Sequence, residues 1–164
     1  MNPAIFLAYL DEPTKTMIIT KLKAMGLKPE RLMSDSAAFF KAVEKALGRH
    51  NFEMLLKIVE SMDGAVKRLV QALDDPAQFI ALAGEVPDEI VERLGGGGTF
   101  QANKGLGCPE ALAKASALAK ALLKYVPEEG QRLAILEEKL WELATQQCTV
   151  LAALAKQTYN VEEF

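Results

Sequence analysis

The stretch LAILEEKLWELATQQCTVLAAL, residues 133–154, decides the fold. Within it Leu133, Leu136, Leu140, Leu143, Gln147, Val150 and Leu154 recur at steps of three and four, the spacing of one helix face sustained as in a coiled-coil seam. A strand would alternate every second residue, and such alternation is absent along the chain. Gln147 is the polar member of the row, and an amide in such a place can set register or partner number. Trp141, Cys148, Ala152 and Ala155 form a second, partly apolar row. A helix apolar on two sides is packed on two sides. The spacing predicts one long helix from Pro127 to about Gln157.

Immediately upstream, Pro109 to about Tyr125 reads as an alanine-rich helix: Ala111, Ala113, Ala115, Ala117, Ala119 and Ala121 keep side chains short, and Leu112, Leu118, Leu122 and Leu123 supply bulk. Close packing against neighbours is its expected use. Before it, residues 95–107 hold six of the eleven glycines, too many for a regular element, and predict a loop with Phe100 as an apolar anchor.

Proline punctuates the rest. Its fixed φ and missing N–H suit the first turn of a helix, and Pro3, Pro13, Pro29, Pro76, Pro87, Pro109 and Pro127 all fit that role, most with carboxylates nearby. After the cap cluster Ser34-Asp35-Ser36, residues Phe39, Phe40, Val43 and Leu47 lie on one face and stop at Gly48. From Asn51 a further apolar face runs to about residue 74, with a bend allowed at Asp63-Gly64. The expected fold is all-α: a bundle of about seven helices with a long, coiled-coil-like C-terminal helix. Its parts are residues 1–94, the glycine-rich loop 95–107, and a helical hairpin 108–164 that joins the bundle or acts as an oligomerisation arm.

Half of the 164 residues are hydrophobic, yet no run reaches the roughly 18 apolar residues that a membrane-spanning helix needs. The apolar run Ala4–Leu10 lacks a basic segment before it and a small-residue cleavage pattern after it, so no secretion signal is expected. The expected location is the cytoplasm or a particle assembled inside the cell. In reducing surroundings Cys108 and Cys148 are expected to be free thiols.

Lone His50 excludes sites needing several histidines and reads as a surface residue near a helix start. Cys108, before Pro109, would sit at a helix N-terminus that favours a thiolate, but Glu110 opposes it and no histidine is close in sequence. The glycines with Lys104 invite a phosphate cradle. The pattern fails in detail, because Lys104 is followed by Gly105 rather than by Ser or Thr and no strand leads in. No catalytic, metal-binding or cofactor-binding residue is therefore assigned, and no cofactor is expected.

Charge is uneven. Residues 1–50 carry 8 basic and 5 acidic side chains (+3), residues 51–108 carry 5 and 9 (−4), and residues 109–164 carry 6 and 8 (−2). Lys21, Lys23, Lys28 and Arg31 form a basic patch, diluted by Glu30 and without interleaved aromatic residues, so nucleic acid is not the expected partner. The chain reads as a non-enzymatic structural or assembly protein, packed against itself or another subunit of a larger particle, such as a virion. Its contacts would be Leu133, Leu136, Leu140, Trp141, Leu143, Gln147, Val150, Leu154, Phe100 and Phe164. The alternatives are a helical adaptor or inhibitor acting through the basic patch, and a small-ligand binder or enzyme using the glycine stretch and Cys108.

Overall fold

Short polar side chains open four of the helices. The Asn2, Asp11, Asp35 and Asp75 side chains each accept from the backbone N–H three residues on, at 2.8, 2.9, 3.2 and 3.2 Å. Each satisfies a donor that the first helical turn leaves without an intrahelical partner. A computed structural model describes the backbone of residues 1–162 and the side chains of residues 1–157. It is all-helical, with no strand among the described residues. The helices are α1 (Pro3–Ala8), α2 (Glu12–Ala24), α3 (Pro29–Leu32), α4 (Ser36–Leu47), α5 (Arg49–Val70), α6 (Pro76–Glu85), α7 (Asp88–Arg93), α8 (Gly97–Gly105), α9 (Glu110–Tyr125), α10 (Gly130–Gln147) and α11 (Thr149–Glu162), with a 3-10 turn at Pro127–Glu129. Every proline lies at a helix start, as its first or second residue, its cap or the opening of the 3-10 turn.

Contacts divide the chain into two units, Met1–Asp63 and Gly64–Phe164, with the boundary inside α5. The first unit is built on aromatic rings. Phe6 meets Phe39 and Phe40 edge to face at centroid distances of 6.1 and 5.4 Å, and Phe40 reaches Phe52 at 6.3 Å. Such pairs add about 0.5–1.5 kcal/mol each beyond the area they bury. Ile18, Leu22, Val43 and Val59 are buried in the same unit.

The second unit is organised around α9, against which α6, α7, α8 and α10 pack. Its alanines Ala113, Ala115, Ala117 and Ala119 are wholly buried, so the close-packing expectation holds. A Cβ on Gly84 of α6 would lie 3.1 Å from that of Ala111. Among the described residues Lys114 is the charged one buried in this core, 5 % exposed; its ammonium donates to the Val86 carbonyl at 2.8 Å and pairs with Asp88 at 2.9 Å. A buried ammonium needs this set of partners.

The structure departs from the sequence reading in three places. The glycine-rich stretch is a helix, α8, not a loop: Gly95 and Gly107 take positive φ at its two ends (96° and 75°), and Phe100 is buried within its length. Burial of one phenylalanine, about 1.5–3 kcal/mol, offsets the roughly 1 kcal/mol that each helical glycine forfeits relative to alanine. The long C-terminal helix is interrupted: Cys148 adopts an extended conformation (ψ 111°) that ends α10, and α11 starts afresh at Thr149. With α8, this break and the short helices α1, α3 and α7, the described residues form eleven α-helices rather than about seven.

The third departure concerns the cysteines. Cys108 and Cys148 are joined in a disulfide across 40 residues of sequence. Separation along the chain is a poor guide here, because α9 and α10 pack side by side and return the chain to its starting level.

Candidate functional site

The junction of α8, α9, α10 and α11 gathers much of what the sequence singled out. The carbonyls of Leu106 and Gly107 accept the first N–H groups of α11: Thr149 N to Gly107 O at 3.2 Å, Val150 N and Leu151 N to Leu106 O at 3.0 and 3.2 Å. Backbone carbonyls thus take the place of a side-chain cap. The disulfide fastens the same spot, since Cys108 follows Gly107 and Cys148 precedes Thr149.

Beside this junction lies a cavity of about 100 Å³, walled by Leu106, Leu140, Trp141, Ala144 and Leu151, with Ser116, Lys120 and Glu137 also at its lining. Its size suits a few apolar carbon atoms, far from a nucleotide. Cys108 contributes to the wall as half of the disulfide, so it offers no thiolate, which removes the nucleophile from the reading that used it. Lys104 lies in the last turn of α8 rather than at its N-terminus, and its ammonium sits 4.6 Å from the centre of the Phe100 ring. The counter-charge imagined for a phosphate cradle is thus committed to a cation–π contact. His50 is exposed in the first turn of α5, and no cluster of three or more metal-ligating side chains occurs among the described residues.

No known family, curated protein or solved structure matches this chain.

The predicted contact residues separate into two sets. Leu133, Leu136 and Leu140 are buried in their own unit, where α10 packs on α9, and Phe100 is buried in α8. Leu143 is half-buried. Gln147 is exposed, as are Trp141 (58 %), Leu154 (50 %) and Val150 (45 %). Beyond the half-buried Leu151 and Ala152, every residue of α11 from Ala153 to Gln157 is exposed. Phe164 lies outside the described residues. Sequence periodicity grouped all these leucines into one seam because it cannot see the extended residue at 148 that ends it.

Ionic contacts centred on Arg132 and Lys114 brace this unit. Arg132 of α10 donates Nε and Nη2 to the two carboxylate oxygens of Asp74 at 3.1 and 2.9 Å, and Nη1 to Glu129 at 2.9 Å. The hydrogen bond from Arg132 holds the Asp74 carboxyl below its usual range. The Lys114 ammonium does the same for Asp88, again chiefly by its hydrogen bond.

In the first unit, Lys21 and Lys23 occupy the last turn of α2, Lys28 precedes α3 and Arg31 lies within it, all exposed. Lys21 and Lys23 complement the negative end of α2, and Lys21 Nζ lies 3.5 Å from the Ala46 carbonyl near the end of α4.

Proposed function

We propose that the protein is a non-enzymatic helical assembly protein, a subunit packed into a larger homo- or hetero-oligomeric assembly such as a virion or another particle. The reading is carried by one observation: Trp141, Val150 and Leu154 stand about half exposed on the last two helices, while Leu133, Leu136 and Leu140 of the same predicted row are buried. Tryptophan is enriched where protein surfaces meet, because it removes a large apolar area from water with little side-chain entropy to lose. The contact surface in this reading is the exposed set, Trp141, Gln147, Val150 and Leu154, and the buried leucines shape it from beneath.

Multi-angle light scattering tests the reading. The mass should rise above 17.9 kDa as concentration is raised, and Trp141→Ser with Leu154→Ser should return it to that value. A photo-crosslinking amino acid in place of Trp141 extends the test to a different subunit in the native lysate. A monomeric mass at every concentration, with no crosslinked product, overturns the proposal.

A further inference from the structure

The first unit carries an open groove of about 540 Å³ where the end of α2 meets α3 and α4. Met25, Leu27, Leu32 and Ala38 form its apolar lining, and Lys41 and Lys45 line it as well. The two lysines are one turn apart on α4, so they stand in a row on one face, and both are exposed. Lys28 and Arg31 flank Leu27 and Leu32 along the chain. The carboxylates of this stretch, Glu30, Asp35 and Glu44, are not part of the lining, and Asp35 is engaged in capping α4. An apolar channel edged by lysines fits a segment that carries both apolar and acidic side chains.

We propose that this groove seats residues 158–164 of a second copy of the chain, the segment Thr-Tyr-Asn-Val-Glu-Glu-Phe. Its composition is the counterpart of the groove: Tyr159, Val161 and Phe164 supply apolar groups, Glu162 and Glu163 supply charge opposite to Lys41 and Lys45, and it contains no basic residue. The segment follows residues 153–157, all of which are exposed. The overall polarity agrees, since residues 1–50 carry +3 and residues 109–164 carry −2. Such a contact joins two different patches, and it closes a two-fold dimer where the segments are exchanged reciprocally or runs head to tail into a ring or an open filament. The inference rests on the assembly reading above and adds a second contact between copies to the exposed set on α10 and α11.

The test uses the full chain bearing Glu162→Lys and Glu163→Lys, so that its own segment does not compete, titrated against a fluorescent peptide of residues 153–164. Fluorescence anisotropy should show saturable binding that weakens with added salt. Lys41→Glu with Lys45→Glu, in a receptor that keeps its own Glu162 and Glu163, should weaken it by about tenfold or more, and a peptide with lysine at positions 162 and 163 should restore it. Rescue by the reversed peptide excludes misfolding as the cause of the loss. Absence of saturable binding, indifference to the charge reversals, or equal binding of a shuffled peptide overturns the assignment. If the unmodified chain still self-associates by light scattering, that failure leaves the assembly reading standing. A chain that stays monomeric while the peptide binds overturns the assembly reading and the second-copy assignment together.

Discussion

Gly107 and Thr149 meet backbone to backbone: the Gly107 carbonyl accepts the Thr149 N–H at 3.2 Å, and a Cβ at position 107 would collide with Thr149 Oγ1. Gly107 also holds a φ of 75°, which side chains rarely adopt. Close approach and backbone conformation therefore demand glycine for the same reason, the capping of α11.

Gly107→Ala should destabilise the protein by about 1–3 kcal/mol and speed amide hydrogen exchange at Thr149, Val150 and Leu151. Gly98→Ala is the control. Position 98 is helical and has open space around a Cβ, so alanine there should be neutral or stabilising by up to about 1 kcal/mol. Equal melting temperatures for the two variants would contradict the account.

Cys148→Ser, or reduction by a dithiol, should lower stability by about 2–4 kcal/mol by releasing the loop that the bond closes. Chemical denaturation with and without the dithiol measures the difference. The same comparison, read by Trp141 fluorescence, should report a change near the cavity, whose wall contains both Cys108 and Trp141.

Leu136→Ala should cost about 2–5 kcal/mol in unfolding experiments, because Leu136 is buried within its own unit. Trp141→Ser should leave the melting temperature nearly unchanged and alter the mass measured by light scattering. The reverse outcome would return the leucine row to the role of an intermolecular seam.

The Asp88 carboxyl is held below its ordinary range by Lys114, so its contribution is present above the unfolded-state pKa of about 4 and is lost as pH falls through the lower folded-state value. Asp88→Asn should therefore destabilise the protein at neutral pH, with the difference shrinking below about pH 4. Asp74, held down by Arg132, should behave alike, and Asp74→Asn should shrink over the same acidic window. Thermal melts across pH 2–7, as an approximate range, check both.

Much of the fold was legible because it is written locally. Prolines and short polar caps mark starts through bonds three residues long, and the face of Phe39, Phe40 and Val43 ends at Gly48, where α4 ends. The unbroken helix through Gly64 was legible too, since its apolar face continues on both sides. Features made by distant residues were not. The break at Cys148 depends on carbonyls at 106 and 107, and α8 depends on the burial of Phe100. The leucine spacing is the same whether the covering helix is α9 or one from another chain, so periodicity alone could not assign Leu133, Leu136 and Leu140 to the interior. The groove over Met25, Leu27 and Leu32 had no signature at all, because it arises from the meeting of three helices.

The central place of α9 bears on how the chain acquires its shape during synthesis. Helices α6, α7 and α8 come earlier in the chain than α9, yet all three settle on it. A nascent polypeptide extruded as far as residue 109 lacks the surface these helices later cover. Translation must deliver Glu110–Tyr125 beyond the ribosome before they can dock on it, and until then their apolar sides lack the cover that α9 gives them.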